Sequence, residues 1–273
     1  MRYAAFTVDV DRDVNEARAG NVESLCRRST VTRYTSTRKG LQALVEMLDD
    51  LGVRGTFFWE GRAAEVLSGE LKLRNLMQGH EVAAHGYEHE DLTGESTGVR
   101  LSEEWLDAIV GRSLSAVEGA FGFCPEGFRC PYQHIDDTVA RVLMQRGLRY
   151  DSTRFGEVGA GLRPYRLTSP LLEVPLAQGR DATGRRLQSY LWPMHEGRRG
   201  PDDYLHLMSL HDDGLLVLAD HSWHIAESLD GECGANRMGR ELAKVRRVLE
   251  GAMDRGIELV TVAEYLRSNA ADR

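Results

Sequence analysis

The chain has 273 residues, with 34 basic against 42 acidic side chains and a net charge of −8. That negative field disfavours nucleic acid as a general partner. The longest apolar runs, such as Leu215–Ala219, fall far short of the ~20 residues that span a bilayer, so no stable membrane span is expected. Asp9 and Asp11 arrive before an apolar leader could form. Cys26, Cys124, Cys130 and Cys233 share no CxxC spacing and are too few for a disulfide framework, which predicts free thiols and a cytoplasmic protein.

Tyr3–Val10 is a β-branched and aromatic run and reads as a buried strand. A polar stretch without a clear period follows to Tyr34. Leu41, Leu44, Val45 and Leu48 form a helical stripe, with Thr35 or Ser36 as cap and Gly52 as stop. Val53–Trp59 is the next strand, Arg62–Met77 carries one or two helices, and Glu81–Ala84 is a short strand running into His85. Ser102–Ala120 is the clearest helix, with Ser102 as N-cap, Glu103 and Glu104 in its first turn and Gly122 beyond its end.

Strands at Gly127–Arg129, Leu148–Tyr150, Leu171–Val174, Leu215–Ala219 and Ile257–Val260 follow. They alternate with helices at Asp136–Arg146, Asp202–Leu210, Arg240–Arg255 and Val262–Ser268. Thr153–Gly214 as a whole, with most of the prolines and a run of arginines, reads as an elaborated loop. Seven or eight alternations without a linker imply an α/β chain, one domain over residues 1–273, and parallel strands in a barrel or an open sheet.

The reactive side chains gather at one place in this pattern. Asp9 and Asp11 end the first strand, His85 and His89 follow the third, and Arg129 and Tyr132 the fourth. Asp151 and His221 follow later strands. In a (β/α) barrel those ends open into one mouth, where such enzymes do their chemistry. His85 and His89 form an HxxxH, which with a carboxylate makes the two-histidine set of a catalytic divalent metal. Taken alone, the pair also fits an ordinary surface loop.

Asp9-Val10-Asp11 puts two carboxylates on one strand face, suited to one ligand and one base. A calcium loop is rejected, because Val14 and Gly20 stand where glycine and glutamate are needed. A nucleotide-sugar transferase using the same DxD remains a rival. Phe128-Arg129-Cys130-Pro131-Tyr132 offers a permanent cation beside a rigid turn, able to hold an aspartate ionised and present an N–H to an oxyanion. His221 stands where a general acid would.

The ordered set Thr7–Asp11, Gly55–Phe58, Gly79–His89, Phe128–Tyr132 and Leu218–His221 resembles the polysaccharide deacetylases, carbohydrate esterase family 4 with the chitooligosaccharide deacetylase homology domain. The resemblance covers nearly the whole chain and is most specific at Gly79–His89. It implies an irregular (β/α) barrel of about seven strands. It implies a metal site of Asp11, His85 and His89, usually holding one zinc. Asp9 would be the base, Arg129 would orient it, Tyr132 would supply an oxyanion N–H, and His221 would be the acid. Two aspartates spaced by one residue, and Leu172-Glu173-Val174-Pro175, look closer to the intracellular branch. That branch includes allantoinase-like and cyclic-imide hydrolases and lipid-linked amino-sugar deformylases. The family's fourth motif has no clean match, so Asp151, Glu173 and Asp181 are the candidates for orienting His221.

The reading is a metal-dependent amidohydrolase acting on a C–N bond other than a peptide bond, in an N-acyl sugar or a cyclic imide. Its expected partners are a small-molecule or glycan substrate, with a homo-oligomer left open, and Trp223 and Pro131 are the expected substrate contacts. The rivals are the DxD transferase, a ligand-binding barrel without turnover, and a metal-free structural protein.

Overall fold

The computed structural model describes residues 2–27, 29, 31–168 and 170–269. Its centre is strand β1, Arg2–Val10, buried from Ala4 onward and paired in parallel on both sides. Outward from it on one side run β2 (Thr56–Trp59), β3 (Glu81–Ala84), β4 (Gly127–Phe128) and β5 (Tyr150–Asp151), all parallel. β5 pairs with β6 (Leu171–Glu173). The chain beyond β5 continues as Phe155–Glu157, which pairs with β7 (Leu176–Arg180). On the other side of β1 lies β8 (Leu215–His221), and β7 pairs with it. The two bent segments, residues 150–157 and 171–180, therefore join the ends of the curled sheet. The fold is an irregular (β/α) barrel in which β1 to β5, the two joining segments and β8 run parallel around the axis, with Ile257–Leu259 also parallel to the start of β1.

Alternation along each strand separates two cores. Ala4, Phe6, Val8 and Val10 point outward into the layer shared with α1 (Thr35–Leu51) and the other outer helices. Ala5 points inward, where it meets Phe58, Ala83, Tyr150, Val217 and Ala219. Two residues further along the same inner row the filling turns polar, at Thr7 and then Asp9, both buried. The barrel is thus plugged with apolar side chains below and charged ones at its C-terminal mouth.

Several element ends differ from the sequence reading. The N-cap of α1 is Tyr34, whose side chain caps nothing. The Asp13 carboxylate takes that role from the loop after β1, accepting the N–H groups of Ser36 at 3.1 Å and Thr37 at 2.8 Å. Residues 153–214 are not a loop. They hold the strand Phe155–Glu157, β6, β7, the strand Arg186–Gln188, the short helix Trp192–His195 and a longer helix, Pro201–Ser209. The strands there have three to five residues, too few for periodicity to show. Gly40 in α1 is set by contact, since a Cβ there would lie 1.8 Å from the Ser222 carbonyl oxygen. That approach seats α1 against the turn Ser222–Ile225 that follows His221.

A buried charge network docks the last long helix, Ala235–Asp254, on the end of β8. His195 lies between Asp220 at 3.0 Å and Glu241 at 2.9 Å, with Lys244 bonded to Glu241 and His224 stacked on the ring. Burial opposes the charge on His195, but Asp220 and Glu241 outweigh it and push the imidazole up to about 9. A pKa raised on folding adds stability below the unfolded value near 6.5 and loses it as pH rises through about 9. The contribution is on the order of 3 kcal/mol. Urea unfolding should therefore show His195→Gln costing more at pH 6 than at pH 10. An equal cost at both would contradict the charged state.

Candidate active site

Asp9 and His221 are register partners on β1 and β8, so both stand at the same height of the mouth. Arg129, just past β4, reaches across the barrel and donates from Nη1 to Asp9 at 2.7 Å and to Thr7 Oγ1 at 3.0 Å. The rest of the guanidinium is spent on the Ser152 carbonyl at 2.8 Å and the Ser152 hydroxyl at 3.2 Å, with Phe58 flat beneath it at 4.0 Å. Tyr190 completes the shell by donating its hydroxyl to the other Asp9 oxygen at 2.5 Å. Burial alone would raise the Asp9 carboxyl. Arg129 outweighs it, with His85, His221 and Tyr190, and holds Asp9 below the usual carboxylate range.

Asp11, His85 and His89 are all buried and bring one donor atom each within 4.8 Å of one another. The two histidines lie in a loop, not on a helix, with ring centroids 4.9 Å apart. His85 Nδ1 lies 2.7 Å from the Arg129 carbonyl. Only an N–H can make that bond, so Nε2 carries the lone pair, and it is buried without a protein partner. At His89, the Ser24 hydroxyl donates to the His89 carbonyl at 2.7 Å and so accepts from Nδ1, also at 2.7 Å. This again leaves a lone pair on Nε2, 3.4 Å from Asp11 Oδ2. Asp11 Oδ1 is buried without a partner, and Asn15 donates to Oδ2 at 2.5 Å.

Three lone pairs thus converge with no proton donor between them, an arrangement that suits a divalent cation. Burial raises the Asp11 carboxyl well above its usual range, helped by Asp9 and Glu60, and drives His89 well below its own.

Backbone strain concentrates on the same loops. Among the described residues, the non-glycine positions with positive φ are Val14, His89 (53°), Tyr132 (58°) and Gln133 (61°). Such positions persist only where their surroundings over-determine them. Tyr132 packs its ring edge-on against His89, centroids 4.8 Å apart, and its hydroxyl meets Ser24. Below them Arg12 binds Glu60 at 2.7 Å and the Ser24 carbonyl at 2.7 Å, and Tyr34 donates to Glu60 at 2.7 Å. That buried network ties the loop after β1 to the residue that holds His89.

Other expected residues sit elsewhere. Trp223 is 4% exposed and packs on His224 at 3.7 Å and on His221 at 5.4 Å, so it backs the site and offers substrate no open face. Pro131 is buried beneath the His85–His89 loop, against Gly86. None of the three carboxylates proposed to orient His221 reaches it. Glu173 accepts the N–H groups of Thr153 at 3.0 Å and Arg154 at 2.9 Å, across the bend that joins the sheet ends. Burial and the neighbouring Asp151 push its carboxyl well up. Asp151 accepts Thr153 Oγ1 at 2.9 Å, and Asp181 holds its own turn together with Arg185 and Arg199. His221 keeps Nδ1 buried and unpartnered. Tyr190, Ser24, Asn15 and Ser152 are additions that no motif signalled.

Residues 34–150 match the family model described as polysaccharide deacetylase. That segment is similar to the family's domain over somewhat less than half of the chain. The match includes His85, His89, Arg129 and Tyr132, while Asp9, Asp11, Tyr190 and His221 lie outside it. A peptidoglycan deacetylase-like protein of Gibberella zeae is 31% identical over 121 residues, 44% of this chain and 34% of that protein. The chain spans about a third of the length of that curated relative. Its fold is similar to PuuE allantoinase, with a TM-score of 0.68 at 14% identity, over 98% of this chain and 90% of that one. It is also similar to a family 4 carbohydrate esterase from Streptomyces lividans solved with acetate, with a TM-score of 0.54 at 20% identity, over 95% and 91% of the two chains.

Removing Arg129 would leave the Asp9 charge buried and unpaired. Arg129→Met in metal-free protein should cost about 3–5 kcal/mol in urea unfolding. A loss below about 1 kcal/mol, the range of exposed ion pairs, would show that the pair does not hold the mouth together.

Proposed function

We propose that the chain is a metal-dependent hydrolase that removes the acyl group from an N-acylated sugar. The observation that carries this reading is the convergence of Asp11, His85 and His89 lone pairs beside an Asp9 held ionised by Arg129 and Tyr190. Asp11, His85 and His89 would hold the ion. When bound, a divalent cation such as zinc lowers the pKa of its water and polarises a carbonyl.

The chain's own residues account for the remaining requirements. Asp9, fixed by two hydrogen bonds, takes the proton of the attacking water. Tyr132, in a left-handed turn, would present its backbone N–H to the developing oxyanion. His221, level with Asp9 on the neighbouring strand, protonates the leaving nitrogen, without which an amine is a poor leaving group. The same set would serve a cyclic imide, whose ring nitrogen also needs that proton, or a formylated amino sugar. The four unpaired cysteines agree with a reducing compartment and hence a cytoplasmic substrate. No helix among the described residues is long and apolar enough to cross a membrane.

The test is product release from N-acetylated chitooligosaccharides, formylated amino sugars and cyclic imides by the zinc-supplied chain. Acetate from the first panel supports the reading, whereas turnover of only the imides would transfer the site to ring opening. Asp9→Asn should keep its metal and lose about 10²–10⁴ in kcat, while His85→Ala should lose both. Undiminished turnover in Asp9→Asn would remove Asp9 as the base.

A further inference from the structure

His221 has the position of an acid but no carboxylate on its ring. Instead it is packed between rings. Tyr190 stacks at 5.3 Å and 29°, Trp223 lies at 5.4 Å, and His224 meets it edge-on at 5.8 Å. Behind those rings sits the buried network of His195, which the proposed chemistry does not use.

His195 is 2% exposed, with Nε2 3.0 Å from Asp220 Oδ2 and Nδ1 2.9 Å from Glu241 Oε2. Carboxylates at both nitrogens call for an N–H on each, so the ring is an imidazolium. Lys244 Nζ lies 2.8 Å from Glu241 and 3.2 Å from the Met194 carbonyl. Asp220 has a second contact, for its Oδ1 accepts the backbone N–H of His221 at 2.9 Å. One carboxylate therefore holds both the imidazolium and the main chain of the acid histidine. On the other side His195 stacks on His224 at 5.4 Å and 21°. His224 in turn lies 3.2 Å from Glu196 and 3.7 Å from the Trp223 ring. Buried charges of this kind contribute little net stability compared with an apolar packing of the same shape. Their geometry gives direction, and two of its branches, through Asp220 and through His224, lead to His221.

We propose that His195 is the positioning residue of His221. Held between Asp220 and Glu241, it fixes the carboxylate that anchors the His221 main chain and closes the ring stack that holds the imidazole beside Asp9. It thereby supplies from the adjoining helices what Asp151, Glu173 and Asp181 do not supply from the barrel. This rests on the reading of His221 as the acid.

The test compares the full zinc-supplied chain with His195→Gln and with Glu241→Gln, which keeps the side-chain shape and leaves the His195–Asp220 bond in place. His195→Gln should lower kcat about tenfold or more, with KM within about twofold and metal content unchanged. Glu241→Gln should show a smaller fall of the same kind, and decides the matter if His195→Gln does not fold. Folded variants with wild-type kcat would overturn the proposal, as would a fall in kcat that tracks loss of metal. A second readout does not depend on turnover. The His221 ring protons lie among the Tyr190 and Trp223 rings, so their NMR shifts report where the imidazole sits. Those shifts should move in His195→Gln, and unmoved shifts would overturn the proposal. Absence of product from the wild type would count against the hydrolase reading alone, and the NMR arm would still decide the role of His195.

Discussion

The ion pair between Asp9 and Arg129 is the interaction on which the mouth of this barrel depends. A charge on each of two strands that are not neighbours, both fully buried, is stable only if every remaining donor and acceptor is met. Thr7, Ser152 and Tyr190 meet them, and these residues come from β1, the bend after β5 and the segment before the Trp192 helix. The pair therefore fixes the relative positions of three parts of the sheet. It also sets the electrostatics, because a permanent cation keeps Asp9 ionised where burial alone would protonate it.

The proposed metal ligands, Asp11, His85 and His89, are organised on a different principle. Arg129 contributes its carbonyl to His85, so the residue that holds the base also sets the tautomer of one ligand. Ser24 does the same for His89 while meeting the Tyr132 hydroxyl. These outer bonds leave the inner nitrogens bare beside Asp11, and they also hold the left-handed backbone at His89 and Tyr132 in place. Asp9 and the proposed ligand His85 are thus tied together through Arg129, while His221 is anchored separately by Asp220.

Much of this was legible from the chain alone. β1, β3 and the long helices announced themselves through apolar runs, with Ser102 the one long-helix N-cap read correctly, and the reactive residues fell at strand ends because a parallel barrel puts them there. Asp9, Asp11, His85, His89, Arg129 and His221 needed only that pattern and a family resemblance. Tyr190 did not declare itself. It lies in a stretch rich in arginine and glycine whose strands are too short to show a period, and only pairing with β7 and β8 gives it a direction. Asp13 as a cap and Ser24 as a support are tertiary contacts between distant residues, with no local signature. Trp223 and Pro131 were assigned to substrate because of their types and neighbours, and packing decided otherwise. The support of His221 was sought among barrel carboxylates, while its chain-neighbour Asp220 carries the bond.

The central claim is that Asp11, His85 and His89 form one cation site at the barrel mouth. A crystal of the protein grown with zinc, with diffraction recorded on both sides of the zinc edge, tests it most directly. An anomalous peak among Asp11 Oδ1, His85 Nε2 and His89 Nε2 is the expected result. Zinc bound elsewhere, with these three side chains left unliganded, would contradict it.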